Sequence, residues 1–237
     1  MLFIVPGIIF FRQATIDFLR VRFLRGLKNY MPEYPTENYY KIEGKALALN
    51  PINSPLKEKH CIYYDLSIQI SRSHKGNETW NTIHNSTESD SFYVERQEET
   101  LLVIPDRKLR DPFHMYYQYW YANEPNSLPP SLQNFPEAQN SKSRFVYASL
   151  SENDNVLVAG WLGQNPESGS KQFEENPRFP LVVFKGNEEE YKTFSKQQSL
   201  KNLWLSLGAI GFGIIAFYFA AYPVLKKLLK RLFAQLL

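Results

Sequence analysis

The sequence predicts a mainly β protein of the α+β class: a compact antiparallel sandwich or barrel domain, a C-terminal transmembrane helix and a basic N-terminal helix. Three observations lead to this prediction. Between residues 36 and 200, short segments alternate apolar and polar side chains and are separated by turn residues. Residues 203–225 carry no charged side chain, and residues 1–30 are basic and contain a single acid.

The N-terminal segment, residues 1–30, combines an apolar tip with a basic remainder. Met1–Phe11 is apolar, but Pro6-Gly7 interrupts it and it is shorter than the ~20 residues that cross a bilayer. Five basic residues follow, with Asp17 as the single acid. We interpret the segment as an uncleaved basic helix that lies at a membrane or against a partner. A mitochondrial presequence is the alternative, and membrane crossing by residues 1–11 stays open.

Residues 36–200 form the predicted β domain, which is long enough to bury one hydrophobic core. Gly44 interrupts the first alternating segment, and Cys61–Ile70 is rich in β-branched and aromatic residues. Ser71–Asp90 is polar, and we interpret it as a long hairpin tip or loop. The remaining predicted strands cover residues 91–96, 101–104, 144–150, 155–162 and 181–185.

Residues 111–140 form an insert in this domain that is first aromatic and then rich in Pro and Asn. Long inserts in compact domains are often functional, and exposed aromatic side chains supply binding energy at protein interfaces. The insert is therefore either a docking surface or a piece of the core. The candidate interface residues are Phe113, Tyr116, Tyr117, Tyr119, Trp120 and Tyr121.

The charge-free run 203–225 is the predicted transmembrane helix, because about 20 apolar residues at ~1.5 Å rise cover the hydrocarbon core. Residues 188–202 also have a helical pattern and lead into it without a break. Small residues four apart allow a second helix to approach closely. The candidate packing residues are Ala209, Gly213, Ala216 and Ala220.

The tail, residues 226–237, has leucines at helical spacing, and basic residues fill the positions between them. This pattern is typical of an amphipathic helix at a membrane surface or against a partner. The candidate membrane-surface residues are Lys226, Lys227, Lys230 and Arg231. By the positive-inside bias, the tail faces the matrix if the membrane is the inner mitochondrial one.

Several function classes lack support in the sequence. A net charge of +3 without a basic stripe on the domain disfavours nucleic-acid binding. The four histidines have no metal-ligand spacing, and we find no phosphate loop or nucleophile motif, so we predict no metal, cofactor, small-molecule substrate or catalytic residue. A thiol hydrolase built on Cys61 is the enzymatic alternative. Its neighbour His60 is poorly placed to act as the base, because adjacent strand residues point to opposite faces.

The order of motifs resembles the GIDE domain, also called BAM ("beside a membrane"), of organellar membrane ubiquitin ligases. The resemblance spans residues 38–225. It rests on the order of these motifs before the membrane helix: Ile42-Glu43-Gly44, Ser54-Pro55, Cys61-Ile62-Tyr63-Tyr64, Trp80, Phe92-Tyr93-Val94 and Val103-Ile104-Pro105. Those ligases carry a zinc-binding RING finger after the domain, but no cysteine follows Cys61. Ligase activity is therefore not expected.

Together these features predict a non-catalytic, membrane-anchored interaction or scaffold protein. The resemblance and the basic N-terminus favour the mitochondrial inner membrane, with the GIDE-like domain in the intermembrane space. We expect an accessory subunit of an assembly such as a respiratory-chain complex, whose partners are other membrane protein subunits and the lipid bilayer. The alternative is a RING-less partner or regulator of an organellar ubiquitin ligase.

Overall fold

A computed structural model describes residues 4–55, 60–74, 77–105, 113–122, 142–178 and 180–236 of the chain. The chain divides into two compact units. The helical unit consists of Met1–Gly26 together with Glu189–Leu237, and the β unit is Leu27–Glu188. The helices are α1 (Ile4–Gly26) and α2 (Glu188–Leu236).

The strands fall into two sheets. The first contains β1 (Lys28–Asn29), β2 (Asn38–Ala48), β6 (Phe92–Arg96), β7 (Glu99–Ile104), β8 (Phe113–His114), β11 (Asn155–Gln164), β12 (Lys171–Glu174) and β13 (Val182–Lys185). The second contains β3 (Ile52–Asn53), β4 (His60–His74), β5 (Asn77–Ser89), β9 (Gln118–Ala122) and β10 (Ser143–Ser151).

Five strands of the first sheet close into a barrel. Their order around the ring is β2, β6, β7, β12, β11 and back to β2. The β7–β12 pair is parallel and the other four pairs are antiparallel. A five-stranded barrel with its third and fifth strands in parallel has the connectivity of the OB-fold. Such barrels serve many functions, so this connectivity describes the scaffold alone.

The barrel closes because β2 bends at Gly44. Residues 38–45 of this strand pair with β11, whereas residues 45–48 pair with β6. A Cβ atom at Gly44 would collide with the carbonyl oxygen of Glu95 and lie 2.9 Å from Cγ2 of Val94. The strand therefore needs glycine where β6 crowds its backbone.

The second sheet is built from two insertions into the barrel, and we call it the insertion sheet. Along the chain, strands β3 to β5 are inserted between barrel strands β2 and β6. Strands β9 and β10 are inserted between barrel strands β7 and β11. The long strand β4 lies in the middle, with β5 on one side and β10 on the other, and β10 pairs with β9.

Two hydrophobic clusters stabilise the β unit. The larger cluster fills the barrel and includes Ile42, Phe92, Val158 and Phe173. The smaller cluster lies on the insertion sheet, with Cys61, Leu66, Ile68, Phe145 and Tyr147 at its centre. Burial of apolar area at about 25 cal/mol per Å² is the main stabilising contribution in such clusters.

The prediction of a mainly β fold is confirmed, and a closed barrel with an attached sheet replaces the sandwich alternative. Of the two interpretations of Ser71–Asp90, a long hairpin tip or a loop, the structure supports the hairpin. β4 continues to His74, and Asn77–Ser89 forms β5, which pairs with β4 along its length. Cross-strand contacts between polar side chains support this hairpin. Ser71 Oγ donates to Glu78 Oε1 at 2.7 Å, and Gln69 Nε2 donates to Thr82 Oγ1 at 3.3 Å.

The two long helices agree with the predicted helical segments. α1 runs through Pro6, which is tolerated because the first turn of a helix does not use its backbone N–H donors. α2 is continuous from Glu188 through the charge-free run into the tail. A search of the described residues finds no helix that is long and apolar enough to cross a membrane.

Candidate interaction surfaces

Aromatic rings and cations meet on the outer surface of the insertion sheet. The Arg144 guanidinium lies 4.5 Å from the ring centre of Trp80 and 5.9 Å from that of Tyr119. Lys142 Nζ lies 5.6 Å from the Trp80 ring, which meets Tyr121 edge-on at 6.0 Å. We call these five residues the insertion face. Tyr119 and Tyr121 are 55% and 56% exposed, so the face presents rings and charge to its surroundings.

Polar contacts hold the cations of the insertion face in place. Arg144 Nε donates to Gln69 Oε1 at 2.6 Å, and Lys142 Nζ lies 2.9 Å from Glu78 Oε1. Hydrogen bonds from Ser71 and then from Lys142 lower the pKa of Glu78, so this carboxylate stays ionised at neutral pH. The guanidinium is thus oriented by a fixed partner and presents its planar surface to two rings.

The six predicted interface residues separate into two groups. Phe113 is buried and stacks on Tyr63 with ring centres 4.0 Å apart, so it belongs to the core. The exposed residues are Tyr116, Tyr117, Tyr119 and Tyr121. Trp120 lies in β9, but its side chain is outside the described part of the structure.

One exposed tyrosine outside the insertion face is also fixed in orientation. Tyr117 Oη donates to Asp65 Oδ2 at 2.6 Å, and Thr87 Oγ1 donates to the other oxygen of that carboxylate at 2.8 Å. Sequence reasoning did not identify Trp80, Lys142 or Arg144. Trp80 and Lys142 fall in polar segments and Arg144 is the first residue of a predicted strand, so only the strand register brings them beside the tyrosines.

The helical unit has a second notable surface, at the contact between α1 and α2. Ser199 Oγ donates to the backbone carbonyl of Ala14 at 3.2 Å, and Asn202 Nδ2 donates to Asp17 Oδ2 at 3.2 Å. Tyr191, at the start of α2, interacts electrostatically with Arg20 and Asp17 in the second half of α1. The two helices therefore run antiparallel.

The residues of this contact recur at heptad-like spacing, and we call the contact the seam. The α2 side of the seam is small and polar, whereas the α1 side combines Ala14 and Asp17 with three larger apolar residues. Burial raises the pKa of Asp17, while Arg20, Gln13 and Asn202 lower it to a smaller extent. The buried or half-buried residues of the seam are Phe10, Ala14, Asp17, Val21 and Leu24 on α1, and Ser199, Asn202, Ser206, Ala209 and Gly213 on α2.

Large apolar side chains lie on the outside of the same helices. The exposed residues are Ile8, Ile9, Phe11, Phe18 and Leu19 on α1, and Leu200, Trp204, Leu205, Leu207, Phe212, Ile214, Ile215 and Tyr218 on α2. In water the opposite arrangement is normal, with apolar residues in the contact and polar ones outside. From Ser199 to Gly213, α2 thus turns small and polar side chains towards α1 and large apolar side chains outward.

The predicted packing residues of α2 lie partly on this seam. Ala209 is half-buried and Gly213 is buried, at the same spacing as Ser199 and Asn202. Ala216 and Ala220 are part of α2, but their side chains are outside the described part of the structure. The same is true of the four basic residues Lys226, Lys227, Lys230 and Arg231.

Cys61 and a cleft beside Tyr30 show little reactive chemistry. Cys61 is buried, and burial together with the charge of Glu88 raises the pKa of its thiol to about 11. A cleft of about 800 Å³ lies beside Tyr30 and the β6–β7 turn. Burial, then the charge of Glu99, raises the pKa of Tyr30 to about 12, and its hydroxyl donates to Glu99 Oε1 at 3.3 Å. The polar groups of the cleft therefore bind one another.

No group of His, Cys, Asp and Glu side chains in the described residues could hold a metal ion. A comparison with known protein families, with curated proteins and with solved structures finds no match.

Proposed function

We propose that this chain is a non-catalytic, membrane-anchored interaction protein, and that it serves as an accessory subunit of a mitochondrial inner-membrane assembly. The observation that carries this proposal is the reversed polarity of the helical unit. Small and polar side chains form the α2 side of the seam, whereas large apolar side chains lie on the outside of both helices. Helix pairs in lipid have this arrangement, because lipid tails surround the outside and small residues let the backbones approach closely.

Residues 203–225 of α2 are the proposed anchor. They contain no charged side chain, and Lys201 precedes them while Lys226 and Lys227 follow. Trp204 and Tyr218 are 72% and 60% exposed, as expected of amphipathic rings at membrane–water interfaces. The described part of the run thus already carries the outward apolar side chains that an anchor needs.

The insertion face is the proposed docking site for another subunit. Tyr, Trp and Arg are the residue types that contribute most binding energy at interfaces, and all three meet there. The face is also largely preorganised, since Gln69 and Glu78 fix the two cations. A partner surface that offers carboxylates and apolar side chains would complement it.

The mitochondrial location follows from the basic character of α1, which contains Arg12, Arg20, Arg22 and Arg25 against Asp17. With the tail of α2 in the matrix, the β unit lies in the intermembrane space. This orientation is part of the proposal.

The test is extraction of the tagged full chain in mild detergent, followed by a native gel and mass spectrometry of its band. We expect migration in a large band with respiratory-chain subunits. A chain with the double variant Tyr119→Ala/Tyr121→Ala should be absent from that band. The control variant Met31→Ala removes a side chain that is 46% exposed elsewhere on the β unit, and this chain should remain in the band. Migration alone, or with a RING protein, would overturn the accessory-subunit proposal and favour the ligase-partner alternative.

A further inference from the structure

We infer that α1 enters the membrane together with α2: the first turns of α1 insert into the same leaflet as the first turns of the anchor, and the side chains of Ile8, Ile9 and Phe11 contact lipid acyl chains. This inference rests on the proposed membrane anchor and adds a second inserted element. The occupant of the apolar surface of α1 is then lipid hydrocarbon.

The exposed side chains of α2 change from polar to apolar at one height along the helix, near Lys201–Trp204, and we call this height the level. Before this level the exposed residues are mainly charged or polar and include Glu189, Glu190, Lys196 and Gln197. From Trp204 onward the large exposed residues of the described part are apolar or aromatic. The α2 side of the seam, from Ser199 to Gly213, is small and polar on both sides of this level. The surroundings of the helix therefore change from water to lipid near Lys201–Trp204.

The antiparallel register shows which residues of α1 lie at the same level. Ala14 contacts Ser199 and Asp17 contacts Asn202, and these two hydrogen bonds place Arg12 level with residues 201–207 and Ile9 level with residues 204–210. Arg12 and Lys201 are both exposed, and together they place two cations where anionic lipid headgroups would bind them. On the lipid side of Arg12, α1 exposes Ile8, Ile9 and Phe11.

The depth of insertion follows from helix geometry. Ile4–Phe11 at ~1.5 Å per residue extends ~12 Å, less than half of the ~30 Å hydrocarbon core. In the antiparallel register given by the two inter-helix hydrogen bonds, these residues lie beside residues 202–215 of α2, where the side chains of Asn202, Ser206 and Ala209 line the seam. The two helices thus insert as a pair in which polar groups face one another and apolar groups face lipid.

The test uses a fluorescent probe on single cysteines in the full chain with Cys61→Ser as background. The protein is reconstituted into vesicles of phosphatidylcholine, phosphatidylethanolamine and cardiolipin. Probes are placed at Ile8→Cys, at Ile215→Cys and, as the water-exposed control, at Glu152→Cys in the β10–β11 turn. Brominated lipids quench each probe according to its depth. We expect quenching at Ile8 by lipids brominated near the headgroup, quenching at Ile215 by lipids brominated deep in the chain, and none at Glu152.

The outcomes separate the inference from the proposed function. Quenching at Ile215 without quenching at Ile8 would overturn the insertion of α1 and leave the anchor intact. Deep quenching at Ile8 would overturn the shallow depth. Absence of quenching at both positions would remove the anchor itself, and the inference with it.

A cysteine pair tests the seam independently of depth. Ala14→Cys/Ser199→Cys should form a disulfide under mild oxidation in the same vesicles, because the two residues are in contact. The outward-facing pair Thr15→Cys/Leu200→Cys should not. Failure of the first pair in a chain whose Ile215 probe still reports lipid would overturn the paired insertion.

Discussion

Lys41 Nζ lies 2.8 Å from Glu188 Oε2, with only 8% of the lysine side chain exposed. The backbone N–H of Glu188 also donates to Glu43 Oε1 at 2.8 Å. Two side chains of β2 therefore hold the residue at which α2 begins. The ion pair thus fixes Glu188, the last residue of the β unit.

Removing one member of this pair is expected to destabilise the protein. Lys41→Ala leaves the carboxylate of Glu188, which is 19% exposed, with less compensation, and breaking buried pairs costs about 3 kcal/mol. Lys142→Ala removes a pair in which both side chains are more than 40% exposed, and it should cost much less, because solvent screens such pairs. Denaturant unfolding of the full chain in detergent measures both free energies. Equal losses would contradict the prediction, and Lys41→Met/Glu188→Gln should recover part of the loss.

Gly44→Ala is expected to weaken the barrel. The added methyl group meets the backbone of Glu95 and the side chain of Val94, and backbone atoms cannot move aside without disturbing strand pairing. We expect a loss of about 2 kcal/mol or more in the free energy of unfolding. Gly26→Ala is the matched control, because nothing lies within 4 Å of a Cβ atom at Gly26. A change at Gly44 as small as the one at Gly26 would contradict the bend that we describe.

Local sequence patterns predicted much of the scaffold. The alternation in Cys61–Ile70 matches the buried side of β4, and the break at Gly44 matches the bend of β2. The closed ring depends on pairs such as Gln172 beside Leu102, which are distant in the chain. No local pattern specifies such a pairing, so the sequence left barrel and sandwich as alternatives.

The candidate surfaces were also predictable only in part, because local sequence patterns do not specify which strands pair. An aromatic run indicates binding, but alternation in a strand decides which rings turn outward. Phe113 is therefore buried in the core, whereas Tyr119 and Tyr121 are exposed. β5 was missed because none of its described side chains is buried, so it lacks the apolar alternation that marks a strand. Trp80 and Arg144 meet only through strand register.

Arg144 is expected to stabilise the insertion sheet through its planar group. Arg144→Ala loses a cation–π contact of about 0.5–1 kcal/mol and the hydrogen bond to Gln69, so a total near 1–2 kcal/mol is expected. Arg144→Lys keeps the charge without the planar stacking surface and should recover less than half of this loss. Arg72→Ala, at an exposed position of β4, is the control and should stay within about 0.5 kcal/mol. Thermal unfolding measures all three, and full recovery by lysine would contradict a role for stacking.

Cys61 is expected to be unreactive in the folded protein and to make stability depend on alkaline pH. Burial raises the pKa of its thiol from 9.0 to about 11, so the thiolate fraction at pH 8 is about a hundredfold lower than in the unfolded chain. Maleimide labelling of the native protein at pH 8 should therefore be slower by at least this factor than labelling in denaturant.

The sign of the pH effect follows from the raised pKa. The folded state keeps the thiol neutral while the unfolded state ionises first. The free energy of unfolding should thus fall as pH rises from about 9 towards 11. Cys61→Ala removes this titration, so its stability should fall less over the same range. Rapid native labelling, or an identical alkaline decline in the variant, would show that Cys61 is not the buried neutral thiol of the smaller hydrophobic cluster.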